Sequence, residues 1–194
     1  MSITRDQLLR HREYAALRSR FVEEVITEKK RRRVIISDNM SGLFENRLTV
    51  WFQIQEMIHA EKMEKDEYID EMLEVYNELM PADNALSMTL FIEIPDQTKL
   101  RAFNKTVVGI ENHVHLVFGE HKVTSVEPQD EDASGKDYTQ SVHYLQFPFS
   151  PEQKRAFAAA GPGEVKLVVD HPNYKRETKL AADTTDELQK QLTA

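Results

Sequence analysis

Leu86-Ser87-Met88-Thr89-Leu90-Phe91-Ile92-Glu93-Ile94 alternates apolar and polar residues, and that alternation decides the fold class. Successive side chains of a strand point to opposite faces, so Leu86, Met88, Leu90, Ile92 and Ile94 share one face, with Ser87, Thr89, Phe91 and Glu93 on the other. Upstream of this stretch the rhythm is helical. Ile69, Met72, Leu73, Tyr76 and Leu79 recur at three- and four-residue steps, and Pro81 stops the helix. The segment 46 to 64 predicts a second helix with Asn46 as its N-cap. Leu48, Val50, Trp51, Phe52, Ile54, Met57 and Ile58 give it so wide an apolar arc that it should be buried. Gln55 falls inside that arc, which predicts a buried, hydrogen-bonded amide.

Further upstream, Thr4 and Gln7 are spaced as a capping box, and Tyr14, Leu17, Phe21 and Val25 predict a helix running into Lys29-Lys30-Arg31-Arg32-Arg33. That basic run reads as a solvated helix C-terminus complementing the dipole. Val34-Ile35-Ile36 is a short strand, and Asp38-Asn39-Met40-Ser41-Gly42 reads as a turn.

Downstream, Pro95-Asp96 opens a helix that ends at Gly109, and strands over 112–118 and 121–127 meet at Gly119-Glu120. The acidic stretch 128–137 is expected to be a mobile loop. A strand over 139–147 follows, then a helix opened by Ser150-Pro151-Glu152-Gln153 and ended by Gly161-Pro162-Gly163. Residues 164–170 predict a last strand, and Thr184 to Glu187 a C-terminal helix. The class is therefore α+β: a helical N-terminal half packed on a mostly antiparallel sheet with ferredoxin-like β-α-β-β-β-α-β order. No repeat or low-complexity linker divides the chain, so one compact domain over 1–194 is expected, with a helix-rich half (1–84) and an α+β half (85–194).

Composition narrows the chemistry. The 194 residues are 40% hydrophobic and 30% charged, with net charge −8 and no cysteine. That excludes disulfides, thiol catalysis and cysteine-held metals. The acidic balance argues against nucleic-acid binding, which needs clustered Lys and Arg. No apolar run reaches the ~18–20 residues of a membrane span, so a cytoplasmic location is expected. There is no G-x-G-x-x-G, G-x-S-x-G or H-E-x-x-H, and no phosphate loop.

Carboxylates and histidines remain. Glu56 and His59 have the Glu-x-x-His spacing of di-iron bundles, but no second pair exists, and a surface or interhelical histidine is the plainer reading. His113 and His115 lie two apart on a predicted strand and share a face; a third metal ligand would come from His143, His121 or a carboxylate. His143 shares its strand face with Leu145 and Phe147 and reads as a satisfied core histidine. Glu45 and Arg47 read as an ion pair at the start of the wide apolar helix, and Glu93 needs a partner if its face is covered, with Arg47 a candidate.

Leu43-Phe44-Glu45-Asn46-Arg47-Leu48-Thr49-Val50, Gln53-Ile54-Gln55-Glu56-Met57 and Tyr76-Asn77-Glu78-Leu79-Met80-Pro81 carry a resemblance, continued by Ile92-Glu93, Gly109-Ile110, Ser141-Val142-His143-Tyr144-Leu145-Gln146-Phe147 and Asp170-His171-Pro172-Asn173-Tyr174. The chain resembles the bacterial family known as domain of unknown function 3501. The resemblance brings no activity. It implies a peroxide or iron–oxygen setting, because members look like gene neighbours of rubrerythrin and of iron–sulfur oxidoreductases. The polar positions within or beside matched segments, and so the candidate shared site, are Glu45, Arg47, Gln53, Gln55, Glu56, Glu93, His143, His171 and Tyr174. The family's basic residue in place of His59 argues against a Glu56/His59 metal site. Two functional readings follow. One is a cytosolic accessory or binding protein acting with redox partners such as rubrerythrin or an iron–sulfur oxidoreductase, without a favoured cofactor. The other is an enzyme dependent on Fe, Mn or Zn held by mixed Glu and His ligands. A homodimer is the base-rate expectation.

Overall fold

The structure is a computed structural model that describes residues 2–128 and 137–193. The segment 129–136, most of the acidic loop read as mobile, lies outside the described residues. Among the described residues the class is α+β, with six α-helices and eight strands in two antiparallel sheets. No described helix is long and apolar enough to cross a membrane. The chain divides into two compact units, residues 1–31 with 45–81 and residues 32–44 with 82–194.

The first unit is helical. Helix α1 (His11–Arg32) contributes its residues up to Arg31, followed by α2 (Arg47–Ala60) and α3 (Asp66–Asn77). The Asn46 side chain accepts from Thr49 N–H, as the predicted N-cap should. Of the expected arc, Val50, Ile54, Gln55 and Ile58 are buried and Leu48, Trp51 and Phe52 half-buried, while Met57 is exposed. Val50, Ile54 and Ile58 of α2 bury with Ile69, Met72 and Leu73 of α3 and with Ile3 and Leu79. The first predicted helix is a single 3-10 turn (Arg5–Gln7), held by Thr4 N–H donating to Gln7 Oε1 at 3.0 Å.

The second unit holds the sheets. One has the order β1-β2-β3-β6, built from β1 (Arg33–Ser37), β2 (Met40–Glu45, within the unit up to Phe44), β3 (Ala85–Ile92) and β6 (Val142–Pro148). The other has the order β5-β4-β7-β8, from β4 (Val114–Phe118), β5 (His121–Thr124), β7 (Lys166–His171) and β8 (Tyr174–Lys179). The helices are α4 (Gln97–Thr106), α5 (Pro151–Ala159) and α6 (Ala182–Thr193). Met88, Leu90, Leu145 and Phe147 of one sheet share a core with Leu116, Val123, Leu167 and Val169 of the other and with Phe157 and Leu188.

The predicted order of elements is present, but the strands divide between two sheets instead of forming one ferredoxin-like sheet. β3 pairs with β6, while β4 pairs with β5 and β7, and two strands absent from the prediction, β2 and β8, extend the two sheets. Asp38 and Asn39 form the expected turn, but Met40, Ser41 and Gly42 belong to β2, whose six positions are all buried. Gly42 marks a close approach: a Cβ there would lie 2.5 Å from Met88 Sδ on β3. β8, Tyr-Lys-Arg-Glu-Thr-Lys, is a charged edge strand with no apolar alternation to read. It pairs with β7 from Lys166↔Lys179 to His171↔Tyr174.

The basic run is less solvated than expected. Arg32 is buried, its Nη1 donating to Gln191 Oε1 at 2.5 Å with Glu187 3.9 Å away. Lys29 Nζ sits 5.3 Å from the centre of the Phe52 ring.

Candidate metal centre

Most of the polar residues singled out in the sequence hold the fold. Gln55 is fully buried; its Oε1 accepts from Leu9 N–H at 2.6 Å and its Nε2 donates to Leu9 O at 3.1 Å. Arg47 donates to Ser2 O and, at 2.5 Å, to Gln7 Oε1, while Trp51 Nε1 donates to Gln7 O at 2.9 Å. One face of α2 thus grips the N-terminal segment. Buried Glu45 accepts from the Thr49 hydroxyl and from Gln53 Nε2 at 3.1 Å.

Glu56 is the anchor of another network. It accepts from Tyr14 Oη at 2.6 Å and from Arg18 Nε and Nη2 at 2.9 and 2.7 Å. The Arg18 hydrogen bonds hold its carboxyl below the usual range, and burial with the Glu56 charge pushes the Tyr14 phenol up. Its neighbour His59 packs edge-on to Tyr14, 5.8 Å between ring centres.

In the second unit, Glu93 accepts from Ser41 Oγ at 2.6 Å, with Arg33 3.9 Å away. His171 is buried with both ring nitrogens engaged: Nε2 donates to Val108 O at 3.0 Å, and Nδ1 accepts from Asn173 N–H at 3.2 Å. Tyr174 Oη donates to Ser37 Oγ at 2.7 Å.

The expected His113/His115 pair is not a strand pair. β4 begins at Val114, so His113 belongs to the 3-10 turn Ile110–His113 and lies edge-on to His171 at 5.1 Å. His115 is buried, its Nδ1 3.1 Å from Thr124 Oγ1. Burial, helped by the Lys122 charge, pushes its imidazole down to about 4, so it is neutral at pH 7.

His143 is different. It is buried on β6, and Glu111, Glu127 and His143 offer ligand atoms that all lie within 4.8 Å of one another. Among the described residues this is the group suited to a metal ion. Ligand atoms about 2.0–2.2 Å from a common ion fall within that spread. Glu111 and Glu127 carry no local signature in the sequence, and the fold unites them across three segments.

The segments are tied together by main-chain bonds. Gly109 takes φ +85°, a left-handed conformation suited to glycine, and starts the turn that carries buried Glu111. Ser125 N–H donates to Val114 O at 2.9 Å and its hydroxyl to Glu111 O at 2.6 Å. Val126 and Gln146 exchange two backbone hydrogen bonds of 2.8 Å, fixing Glu127 beside β6. Tyr144 N–H donates to Glu127 Oε1 at 2.7 Å, and Asn112 Nδ2 to Glu111 Oε1 at 3.0 Å.

The proton positions follow from the partners. His143 Nε2 lies 3.1 Å from Gln140 O and 3.0 Å from Thr139 Oγ1. A carbonyl only accepts, so we assign the ring hydrogen to Nε2, with Thr139 Oγ1 as a second acceptor there. In the neutral ring Nδ1 then bears a lone pair, and it faces Glu127 Oε2 at 2.8 Å. An ionised carboxylate also only accepts. With that assignment, the two acceptors need a shared cation, either a proton on the line between them or a metal ion beside it, about 2.1 Å from each. A second carboxylate, that of buried Glu111, adds charge that burial makes costly without a counter-ion, beside half-buried Glu127.

The sequence matches the family described as Protein of unknown function (DUF3501) over residues 2–192. The chain belongs to that family. It is also similar to a crystal structure of a novel protein of unknown function from Burkholderia pseudomallei K96243, with 34% identity, 98% of each chain covered and a TM-score of 0.89. A search of curated proteins returned no match.

Proposed function

We propose that this DUF3501 protein is a metal-dependent enzyme that holds one divalent transition-metal ion through Glu111, Glu127 and His143. The observation that carries the reading is the convergence of the Glu111, Glu127 and His143 ligand atoms within 4.8 Å of one another, with His143 Nδ1 2.8 Å from Glu127 Oε2 and Gln140 O 3.1 Å from Nε2 on the other side. One imidazole and two carboxylates form a hard-to-borderline donor set suited to Fe(II), Mn(II) or Zn(II). Three protein ligands leave at least one coordination position for water or substrate, the arrangement of catalytic sites. The bound ion would act as a Lewis acid on whatever occupies that position. An iron–oxygen setting in the cytoplasm, beside redox partners such as a rubrerythrin or an iron–sulfur oxidoreductase, belongs to the same proposal; the Fe(II)-compatible ligands and the family resemblance support it.

The test is anaerobic purification with elemental analysis, then titration of metal-free protein with Mn(II), Fe(II) and Zn(II), followed by calorimetry and thermal unfolding. One of the three ions is expected to bind near one per chain and to raise the melting temperature, since a ligand bound only by the native state stabilises it. His143→Ala and Glu127→Ala should abolish both effects, and Glu56→Ala should leave the binding intact. The reading is overturned if wild-type protein takes up none of the three ions, or if the His143 and Glu127 variants bind as wild type does.

A further inference from the structure

The segment that orients His143 is itself clamped by one residue of α4, Asn104. It is the buried residue of that helix. Its main-chain carbonyl accepts from Thr139 N–H at 3.0 Å, and its side-chain Nδ2 donates to Ser141 Oγ at 3.0 Å. These two bonds grip the chain on either side of Gln140. Gln140 supplies the carbonyl, and Thr139 the hydroxyl, that face His143 Nε2. Ser141 O in turn accepts from Ile92 N–H at 2.8 Å, fastening the same segment to the end of β3. Among the described residues, Asn104 Oδ1 is buried without a hydrogen-bond partner. A buried amide with one unmet acceptor is costly, and an apolar residue of similar size would avoid that cost. The amide is thus explained by what its donor holds in place.

We infer that Asn104 is a positioning residue of the metal centre: through Ser141 and Thr139 it fixes the Gln140 carbonyl that keeps the His143 hydrogen on Nε2 and turns Nδ1 toward Glu111 and Glu127. The inference rests on the metal reading above. Partners one step beyond the ligands set the ligand tautomer and ring orientation, and losing one typically costs ~10–100-fold in metal affinity.

The experiment compares wild type, Asn104→Leu, Ser141→Ala and the double variant. Each metal-free protein is measured by thermal unfolding, by Mn(II) calorimetry and by nitrogen NMR of labelled histidine. Each single variant should bind Mn(II) about tenfold more weakly, and the double variant no more weakly than the singles, because both remove one bond. The wild-type His143 ring should report hydrogen on Nε2 alone, and the variants a mixture of tautomers. The metal-free melting temperature of Asn104→Leu should equal or exceed that of wild type, which a purely structural role would not allow. If Asn104→Leu does not fold, Ser141→Ala tests the same bond from the other side. Wild-type Mn(II) affinity in the variants, with binding lost in His143→Ala, overturns the role of Asn104 and leaves the metal reading standing. Should wild type bind no metal at all, the metal reading fails, and the NMR comparison of the metal-free proteins decides alone whether Asn104 sets the tautomer.

Discussion

Gln55 in the helical unit and His143 in the two-sheet unit are both buried side chains pressed against main chain, and their surroundings differ in kind. Gln55 offers one acceptor and one donor to Leu9, whose backbone offers the complementary pair. Asn77 treats Ile3 in the same way, its Oδ1 accepting at 2.7 Å and its Nδ2 donating at 2.9 Å. Glu56 accepts only, but Tyr14 and Arg18 supply donors. Around His143 the described residues gather acceptors: Glu111, Glu127 and, with its hydrogen assigned to Nε2, His143 Nδ1, while Tyr144 and Asn112 each donate to one carboxylate oxygen. Complementary buried groups make structure, and a buried surplus of acceptors makes a place for a cation.

The largest expected effect is the removal of that surplus. Replacing both carboxylates, Glu111→Gln with Glu127→Gln, should lower Mn(II) affinity more than a hundredfold and cancel the stabilisation by metal, about 2.7 kcal/mol when the ion is at a hundred times its dissociation constant. The metal-free double variant should melt no lower than wild type, since the charges of buried Glu111 and half-buried Glu127 are gone. A metal-free protein that is instead strongly destabilised would mean that the carboxylates are satisfied after all, and the comparison with Gln55 would fail.

The opposite outcome is expected in the helical unit. Gln55→Leu keeps the volume but leaves Leu9 N–H and O unmet. It should cost about 3 kcal/mol by chemical denaturation, from two main-chain groups at roughly 1–3 kcal/mol each. Metal affinity should not change. A loss of less than 1 kcal/mol would show that the N-terminal segment finds other partners.

What could be read from the sequence follows the same division. The burial and bonding of Gln55 were legible because a helix places residues at ~100° intervals and one polar group stood inside an apolar arc. β3 was legible from its alternation. β2 was not: both of its faces are buried, and Ser41-Gly42 resembles a turn when the nearby Met88 is unseen. β8 was hidden because a charged edge strand has no hydrophobic period. Of the proposed metal centre only His143 was named, as one option for a third ligand and otherwise as a satisfied core histidine. Glu111 and Glu127 acquire meaning only when the Ser125 and Val126 bonds bring their segments to β6, and such pairings leave no trace in local spacing.

His115 gives an intermediate case, a buried imidazole already satisfied as the neutral form. Its folded value of about 4 lies below the unfolded 6.5, chiefly because burial disfavours the cation. The unfolded chain therefore binds more protons between these values, and stability falls as pH drops from 6.5 toward 4. Between pH 7 and pH 5 this one group should cost about 2 kcal/mol, at ~1.4 kcal/mol per unit of difference. His115→Phe should remove that share of the slope in urea unfolding at the two pH values. An unchanged slope would mean the ring is not kept neutral.

The smallest effect belongs to Tyr174, a candidate site residue that the fold uses as a tie between β8 and β1. Its hydroxyl donates to Ser37 Oγ, and its ring lies edge-on to Phe103 at 5.4 Å. In Tyr174→Phe the ring contact persists, and Ser37 Oγ still accepts from Asn39 N–H at 3.2 Å. Only one neutral hydrogen bond is lost, and Ser37 is not fully buried, so water can replace the missing partner. The expected cost is therefore about 1 kcal/mol or less in urea unfolding, with Mn(II) affinity unchanged. A tenfold fall in affinity would place Tyr174 in the metal centre, and the line between complementary groups and surplus acceptors would have to be redrawn to include it.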